Sequence, residues 1–321
     1  MSRRVIIDTD TAGDDVQAIL LSCLTDRLAV EAVTIVAGNV PFDAQVENAK
    51  YALSLAGAEG TPVYEGATAP LLKEFHHVEH IHGEGGLGGV PVPETGMPSA
   101  KGFAPHEIVR RCRRAPGEYS LLCIGPLTNV ALALAEEPAL PSLVDEVWMM
   151  GGAVHCMGNV TPAAEYNIWV DPDAAKRVFE AFEVTLVDWG LSLRASVLPP
   201  SDVAAVRDME TALATAMTPI IRAVHEFTRR EQGVDGVPQP DSLTAALLAY
   251  PELRGTHGLY PTAVDEREGL TRGYLSVDVD GVTGEPAQTR IVETADTDTF
   301  CEVVLALLRE KNPDRGITRK P

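Results

Sequence analysis

The stretch that decides the fold lies near the start of the chain and reads Val5-Ile6-Ile7-Asp8-Thr9-Asp10-Thr11-Ala12-Gly13-Asp14-Asp15. Its β-branched apolar run predicts a buried strand over residues 4–8, and the apolar periodicity that follows predicts a helix over 14–24. Four carboxylates fall within eight residues at the junction of these two elements. Carboxylates so close together repel strongly at low dielectric, and one or more must take up a proton unless a counter-charge is present.

A hard divalent cation would relieve this repulsion, because Ca²⁺ and Mg²⁺ prefer carboxylate oxygens as ligands. A simpler interpretation is that Asp14 and Asp15 only begin the helix, where the helix dipole favours acidic side chains. That interpretation leaves Asp8 and Asp10 at the end of the strand unexplained. The stretch therefore favours a metal site.

Composition bounds the class of protein and its partners. The 321 residues are 45% hydrophobic, which suits one α/β domain spanning residues 1–321. The net charge of −20, from 26 basic and 46 acidic residues, opposes binding to nucleic acids or anionic membranes. The five cysteines are scattered without a CxxC motif, as is typical of a reducing compartment. No apolar segment is long enough for a signal peptide or a membrane span, so we predict a cytoplasmic protein.

Strand-like and helix-like segments alternate through the first 190 residues. Further strands are predicted over residues 30–37, 62–65, 119–124, 145–150 and 184–188. Further helices are predicted over residues 43–57, 105–114, 127–136 and 172–182. The alternation predicts an α/β fold with a mostly parallel, doubly wound (Rossmann-like) sheet flanked by helices.

The remainder of the chain has a different pattern. Residues 200–255 show helical periodicity and predict an additional helical portion, with helices over 202–208, 211–230 and 242–249. Residues 273–280 and 288–293 predict a small C-terminal hairpin around Asp280-Gly281. A last helix is predicted over 297–310, followed by a loose tail from Asn312 to Pro321.

Polar residues and glycines follow several of the predicted strands. In an open α/β sheet ligands bind beyond the carboxyl ends of the strands, so these residues should converge on one pocket. A second polar cluster contains Asn159, Glu165 and Asn167, whose carboxylate and two amides suit the vicinal hydroxyls of a sugar. By itself this cluster also fits an ordinary Asn- and Pro-rich loop. Asp241 likewise fits the N-cap of helix 242–249.

Taken together, these residues resemble the inosine–uridine-preferring nucleoside hydrolase family. Four motifs carry the resemblance, in the order of the family, at residues 8–15, 125–129, 150–152 and 164–167, the last followed by Asp171-Pro172. The resemblance covers nearly the whole chain. It implies a Ca²⁺-dependent enzyme of nucleoside salvage or catabolism that cleaves ribonucleosides to free base and ribose. It also implies a homodimer or homotetramer.

The resemblance implies a role for individual residues. The calcium ligands would be Asp10, Asp15, the carbonyl oxygen of Ile124 and Asp241, and Asp10 would also be the general base. Asp8 would support the metal site without touching the ion. The side chains implied to hold the substrate are Asp14, Asn39, Met150, Asn159, Glu165 and Asn167. Carboxylates and amides around the ribose suit the oxocarbenium character that develops when an N-glycosidic bond breaks.

The sequence departs from the family at the leaving-group acid. Many members carry a histidine just before the last calcium ligand, and this chain has Pro240 there. The alternatives are His225, Glu226 and Arg229 on helix 211–230, and His82 in the Gly-rich loop 76–89. We expect that loop to lie beside the pocket with His82 near the substrate. Its histidines lack the spacing of a zinc site, and its glycines lack the GK[ST] of a phosphate loop.

Two other functions fit part of the pattern. A haloacid-dehalogenase-like, Mg²⁺-dependent phosphatase also has a strand followed by Asp-x-Asp, with Asp8 as the nucleophile. Against it, Gly13-Asp14-Asp15 is extra and no later strand ends in paired aspartates. A nucleoside- or riboside-binding protein without turnover would keep the pocket and tolerate Pro240. The sequence leaves the preferred nucleobase open, and Trp148, Trp169 and Trp189 are expected to serve packing.

Overall fold

A computed structural model describes residues 2–317 of the chain. The strands in this range are β1 (Arg3–Thr9), β2 (Leu28–Ile35), β3 (Val63–Glu65), β4 (Tyr119–Cys123), β5 (Val147–Met150), β6 (Val184–Val187), β7 (His257–Tyr260), β8 (Thr262–Val264), β9 (Leu275–Val277) and β10 (Thr289–Val292). Eight of them form one sheet in the order β3-β2-β1-β4-β5-β6-β10-β7. Neighbours in this sheet are parallel except β10 and β7. The predicted doubly wound α/β sheet is confirmed.

Helices cover both faces of the sheet. They are α1 (Asp15–Leu24), α2 (Phe42–Ala56), α3 (Glu79–His82), α4 (Ala104–Arg114), α5 (Thr128–Glu136), α6 (Tyr166–Val170), α7 (Pro172–Ala181), α8 (Trp189–Ala195), α9 (Pro200–Arg207), α10 (Ala212–Phe227), α11 (Pro240–Ala249), α12 (Thr297–Glu310) and α13 (Asp314–Ile317). A π-helical turn at Thr228–Gln232 extends α10. The predicted helical portion over 200–255 is thus confirmed as α9, α10 and α11. Among the described residues, no helix is long and apolar enough to cross a bilayer.

The central strand β1 shows why its sequence is apolar at successive positions. Val5 and Ile7 pack in the core layer that contains side chains of α1, α2, α11 and α12. Ile6 points to the other face and packs with side chains of α4, α5 and α7. Successive side chains of a strand alternate between faces, so a strand covered on both sides needs apolar residues throughout.

The order of the strands positions the candidate site. From β1 the chain builds outward through β2 to β3, and from β4 it builds in the other direction through β5 to β6. β1 and β4 are neighbours, so the direction of winding reverses between them. The crevice at such a reversal is where α/β sheets bind ligands. Asp10 follows β1 and Ile124 follows β4, so both stand at the edge of this crevice.

The prediction of a C-terminal hairpin is wrong. β10 lies in the main sheet, parallel to β6 and antiparallel to β7, while β9 pairs with β8 in a separate two-stranded sheet. The residues around Asp280-Gly281 form an exposed connection. β7 and β8 were not predicted, because each is only three or four residues long and β7 contains a glycine.

The prediction of a loose tail from Asn312 is wrong as far as Ile317. Asp314 accepts hydrogen bonds from the Thr25 hydroxyl (2.7 Å), the Asp26 amide (3.0 Å) and the Tyr250 hydroxyl (2.6 Å). These bonds fasten α13 to the end of α1 and to α11. Residues 318–321 of the predicted tail lie outside the described residues.

Candidate active site

Asp10 lies directly after β1 and is completely buried. Its Oδ2 accepts a hydrogen bond from the backbone amide of Asn39 (2.9 Å), whereas its Oδ1 is buried without a partner. Two glycines leave room for the carboxylate. A Cβ atom on Gly38 would lie 1.9 Å from Oδ2, and one on Gly125 would lie 2.8 Å from Oδ1. The ends of β2 and β4 therefore hold Asp10 from both sides.

Asp15 begins α1 but does not act as its cap. Its Oδ1 accepts a hydrogen bond from the Thr9 hydroxyl (2.6 Å), and its Oδ2 accepts one from the Ala12 amide (3.1 Å). The Asn39 side-chain amide also donates to Oδ2 (3.4 Å). These contacts turn the Asp15 carboxylate back toward the loop after β1. Asn39 thus links Asp10 and Asp15.

Asp14 connects the acidic loop to a distant helix. Asp14 is the N-cap residue of α1, but its side chain makes no capping hydrogen bond there. Its Oδ2 instead accepts a hydrogen bond from the backbone amide of Asp241 (2.9 Å) at the start of α11. The interpretation of Asp241 as an N-cap is wrong, because Gln239 occupies that position. Asp14 and Asp15 do begin α1, but the hydrogen bonds of their carboxylates lead elsewhere, so a role at the helix start does not explain them.

Burial raises the pKa values of the carboxyl groups of Asp10, Asp14, Asp15 and Asp241, and neighbouring aspartates add to the rise for all but Asp14. Burial raises the pKa of Asp15 to about 8, with a contribution from Asp14, and burial raises that of Asp14 to about 6. Burial and then the charges of neighbouring aspartates hold the pKa values of Asp10 and Asp241 well above their ordinary range. No lysine or arginine between residues 2 and 317 forms an ion pair with any of these four side chains. The cluster is therefore short of positive charge.

The cluster fits a hard divalent cation. It offers carboxylate oxygens, one of which, Oδ1 of Asp10, is buried and unpartnered. Ile124, directly after β4, lines the cavity, and its carbonyl oxygen accepts a hydrogen bond from the Asn167 side-chain amide (3.4 Å). Oxygen ligands of this kind suit Ca²⁺ or Mg²⁺. Within residues 2–317, no group of three His, Cys, Asp or Glu side chains converges as it would around a bound ion. The carboxylates of Asp10, Asp14 and Asp15 instead accept hydrogen bonds from nearby amides and hydroxyls.

Asp8 lies behind the cluster. Its Oδ1 accepts hydrogen bonds from the Thr34 hydroxyl (2.6 Å) and the Asn129 side-chain amide (2.8 Å). Burial raises the pKa of Asp8 to about 7. Asp8 is 1% exposed and does not line the cavity described below. Asp10 is equally buried and likewise absent from the cavity lining, so burial does not decide between a hydrolase and a phosphatase. The hydrogen bonds to Thr34 and Asn129 hold Asp8 as support for the end of β1.

The second polar cluster is well ordered by hydrogen bonds. Glu165 caps α6, and its carboxylate accepts hydrogen bonds from the amides of Asn167 and Gly152 (both 2.8 Å). The Asn167 side-chain amide donates to the Met150 carbonyl (3.1 Å), and Asn159 accepts from the backbone at the start of α6. Burial raises the pKa of Glu165 to about 7. The loop interpretation explains these bonds but not the burial of a carboxylate without a cation.

A cavity of about 240 Å³ opens at the crevice between β1 and β4. Its walls include every residue that the sequence predicted to hold the substrate: Asp14, Asn39, His82, Met150, Asn159, Glu165 and Asn167. Two of the predicted metal ligands, Ile124 and Asp241, also line it. Asp10 and Asp15 are fully buried and do not line the cavity, but both accept a hydrogen bond from Asn39, which does. The roles of these residues stay predictions, but the structure brings them together.

The cavity also has walls that the sequence analysis did not name as substrate contacts, although it singled out Pro240 and placed the loop 76–89 beside the pocket. They are contributed by Val78, His80, Ile81, Val160, Tyr166, Trp189, Val224, Phe227, Thr228, Gln232, Pro238 and Pro240. Trp189 was expected only to pack, and it lines the cavity as well. Val224, Phe227 and Thr228 have helical spacing, which in sequence is indistinguishable from a helix face that packs in the core.

Three of the proposed leaving-group acids are not in the cavity. His225, Glu226 and Arg229 line a separate surface depression on the other side of α10. His82 does line the cavity, but burial and the charge of His80 lower its pKa to about 4, so His82 is uncharged at neutral pH. Its Nδ1 is buried without a partner.

The Gly-rich loop 76–89 lies beside the cavity, as predicted. The Gly13 amide donates to the Gly86 carbonyl (2.9 Å). The side-chain amide of Asn48 donates to the carbonyls of both Thr11 (2.9 Å) and Gly85 (2.8 Å). The loop is therefore fastened to the acidic loop after β1.

Comparison with known proteins agrees with this geometry. A family model described as inosine-uridine preferring nucleoside hydrolase matches residues 5–302. The pyrimidine-specific ribonucleoside hydrolase RihA of Shewanella woodyi is 33% identical over 306 residues, covering 95% of this chain and 97% of the relative. The plant nucleoside hydrolase PpNRh1 superimposes with a TM-score of 0.89 at 26% identity, over 97% of this chain and 100% of that one.

A second solved structure superimposes nearly as well. The purine-preferring ribonucleoside hydrolase from Gardnerella vaginalis has a TM-score of 0.88 at 26% identity, over 96% of this chain and 98% of that one. The resemblance inferred from four motifs is therefore confirmed over almost the whole chain. The prediction of a hydrolase acting on N-glycosyl compounds is confirmed with it. This chain belongs to the inosine–uridine preferring nucleoside hydrolase family.

Proposed function

We propose that this protein hydrolyses the N-glycosidic bond of ribonucleosides and releases free base and ribose. The observation that supports the proposal is how the two carboxylate oxygens of Asp10 are hydrogen-bonded. Its Oδ2 is fixed by the Asn39 amide, and its Oδ1 is buried with no partner. An unpartnered carboxylate oxygen of raised pKa is suited to accept a proton. We therefore assign Asp10 as the general base that takes the proton of the attacking water.

We further propose that Ca²⁺ is held by Asp10, Asp15, Asp241 and the carbonyl oxygen of Ile124. A bound cation of this kind lowers the pKa of the attacking water and offsets the repulsion among the carboxylates. The supporting observation is that burial and mutual repulsion raise the pKa values of all three aspartates. Asp8 keeps the end of β1 in place through its bonds to Thr34 and Asn129.

The polar walls of the cavity are proposed to hold the ribose. The hydroxyls of the sugar both donate and accept hydrogen bonds, which suits the carboxylates and amides of Asp14, Asn39, Asn159, Glu165 and Asn167. Met150 would lie along the sugar ring. As the bond to the base breaks, positive charge develops on the ribose, and the fixed carboxylates would stabilise it.

A second candidate function is binding of a nucleoside without turnover. The observation that favours it is Pro240, which lines the cavity next to Asp241 and has no proton to donate to a leaving base. The uncharged state of His82 at neutral pH points the same way. Release of ribose distinguishes the two functions directly.

The test is release of free ribose from a panel of purine, pyrimidine and modified ribonucleosides. The purified protein is assayed after chelation and again after addition of Ca²⁺ or Mg²⁺, with an aryl phosphate as a phosphatase control. We expect release that is lost on chelation and restored by Ca²⁺. The Asp10→Asn variant should lose activity. Asp280→Asn, which changes an exposed aspartate in a surface connection, should not.

The possible outcomes separate the candidates. Tight binding of a nucleoside without release of ribose would favour the binding protein. Activity on the aryl phosphate alone would favour the phosphatase. The panel is needed because relatives differ in base preference: RihA of Shewanella woodyi is named pyrimidine-specific and the Gardnerella vaginalis enzyme purine-preferring. A cytoplasmic location and a homo-oligomeric state stay predictions, the latter to be checked by light scattering.

A further inference from the structure

Gln17 and Ser242 form a polar pair in the mostly apolar contact between α1 and α11. Both side chains are completely buried, and the Gln17 side-chain amide donates a hydrogen bond to the Ser242 hydroxyl oxygen (3.1 Å). The apolar residues of the two helices belong to one core layer. Neither side chain of the pair lines the cavity, so the pair does not contact a substrate there.

The pair does not serve stability well. The Oε1 atom of Gln17 is buried and accepts no hydrogen bond from any described residue. A buried acceptor without a donor costs stability, whereas an apolar pair of the same shape would be nearly neutral or stabilising. In some proteins a buried polar group instead fixes one geometry where apolar packing would allow several. We therefore looked for a geometry that this pair could fix.

The pair adjoins the acidic cluster. Gln17 follows Asp15 on α1, separated from it by one residue, and Ser242 directly follows Asp241 on α11. The Ser242 hydroxyl, which accepts from Gln17, donates in turn to the carbonyl oxygen of Asp14 over a long 3.5 Å. Beside it, the Asp241 backbone amide donates to the Asp14 carboxylate (2.9 Å). A short chain of hydrogen bonds thus ties the start of α11 to the start of α1.

This connection bears on the metal because the proposed ligands come from both helix starts. Asp15 begins α1, and Asp241 lies in the first turn of α11, far away along the chain. Ca²⁺ holds its oxygen ligands at about 2.3–2.6 Å, so a small shift of one helix against the other changes the site. Apolar packing is not directional, whereas a hydrogen bond depends on both distance and angle. The polar pair therefore restricts such a shift more closely than an apolar pair would.

We propose that Gln17 is a positioning residue that, through Ser242, holds Asp241 at the distance from Asp15 that the proposed Ca²⁺ requires. Neither Gln17 nor Ser242 is a proposed ligand of the ion. The inference rests on the calcium site of the proposed function. It separates two properties, because loss of the pair weakens metal binding without weakening the fold. A pair with only a structural role would not change metal binding alone.

The test replaces the pair with apolar residues of similar shape. Gln17→Met keeps a long unbranched side chain, Ser242→Ala removes the hydroxyl, and a double variant combines both changes. Ser22→Ala is the matched control. Ser22 lies farther along α1, and its hydroxyl is likewise completely buried, with no hydrogen-bond partner among residues 2–317. The dissociation constant for Ca²⁺ is measured by titration calorimetry, and the urea midpoint is measured in the presence of chelator.

In the double variant we expect the dissociation constant for Ca²⁺ to rise about 10–100-fold, the loss typical when a group that supports a metal ligand is removed. Its urea midpoint should equal or exceed that of the wild type, because the unpartnered Oε1 of Gln17 disappears with the bond. Gln17→Met alone should raise the dissociation constant to a similar extent, since it breaks the same bond. Ser242→Ala alone should also lower the urea midpoint, because it leaves the Gln17 amide without its acceptor. Ser22→Ala should leave the dissociation constant unchanged.

The outcomes distinguish this role from the calcium site itself. An unchanged dissociation constant in the double variant, with Ca²⁺ bound by the wild type, would overturn the positioning role and leave the calcium site intact. A urea midpoint that falls together with the affinity would show a structural role only, and would also overturn the proposal. Absence of Ca²⁺ binding by the wild type would refute the calcium site and the positioning role with it. No nucleoside is present, so none of these results depends on turnover.

Discussion

Replacing Gly38 by alanine tests whether the candidate general base depends on its fixed position. Gly38 follows β2 and packs directly against Asp10. An added Cβ atom would lie 1.9 Å from Oδ2 and 2.5 Å from Cβ and Cγ of that aspartate. The shortest of these distances is about 1.5 Å less than an ordinary contact, so something must move. Asp10 is completely buried.

The expected cost follows from what has to move. Overpacking a close-packed site costs about 1–3 kcal/mol of unfolding free energy. Displacing the carboxylate also disturbs its hydrogen bond with the Asn39 amide (2.9 Å). A shift of about 1 Å in a reacting group lowers the rate roughly 100-fold. We therefore expect Gly38→Ala to lose about 1–3 kcal/mol of stability and roughly 100-fold in kcat/KM.

Urea unfolding measures the first quantity and ribose release the second. Gly60→Ala is the matched control, because a Cβ atom on this exposed glycine would have no atom within 4 Å. Such a change should leave activity unaltered and alter stability by no more than about 1 kcal/mol. The reasoning is refuted if Gly38→Ala keeps both the stability and the activity of the wild type. The stability result does not depend on which substrate the enzyme prefers.

Three further predictions concern the metal, a buried acid and the C-terminal helix. Ca²⁺ at 100 times its dissociation constant should raise the free energy of unfolding by about 2.7 kcal/mol, as measured by calorimetry. Asp241→Asn should remove most of this gain. An identical melting temperature with and without chelator would contradict the metal site. In the metal-free protein the raised pKa of Glu165 keeps a proton bound in the folded state between pH 4.5 and about 7. The stability that this bound proton contributes is therefore present at acid pH and is lost, by about 3 kcal/mol, as pH rises to about 7. Glu165→Gln should reduce the pH dependence of urea unfolding by this amount, while the buried aspartates keep the rest. Asp314→Ala should cost about 2 kcal/mol in the same assay because three hydrogen bonds are lost, and no change would show that α13 contributes nothing.

The part of the fold around β1 was predictable because its signals are local. An apolar run covered on both faces, followed by Asp10 and a helix start, determines a strand, a loop and a helix within twenty residues. β2, β4 and β6 are likewise each followed closely by a helix, α2, α5 and α8. The edge of the sheet at β10 and β7 was not predictable in this way, because its pairing is not local in sequence. β7 and β10 pair across nearly thirty residues of mostly irregular chain, and a four-residue strand carries too little pattern to reveal its partner.

The residues of the candidate site likewise fall into a group that the sequence predicts and a group that it does not. Asp14, Glu165 and Asn167 lie in motifs whose residue types already indicate their chemistry. The walls that face the base do not, since Phe227 and Trp189 are apolar residues that equally suit a core. The packing of α10 against the rest of the molecule decides which face of this helix lines the cavity. The sequence placed His225 among the candidates, and the packing of α10 turns it away.

The groups at the two ends of the cavity indicate which part of the substrate the enzyme acts on during catalysis. At the base end, Pro240 has no proton to give, and burial keeps His82 uncharged at neutral pH. At the sugar end, Glu165 and the acidic loop place buried carboxylates where positive charge would develop on the ribose. If hydrolysis proceeds as proposed, the barrier is lowered mainly by stabilising the sugar and not by protonation of the base from position 240. Substrates whose bases leave readily should then be the ones that this cavity turns over.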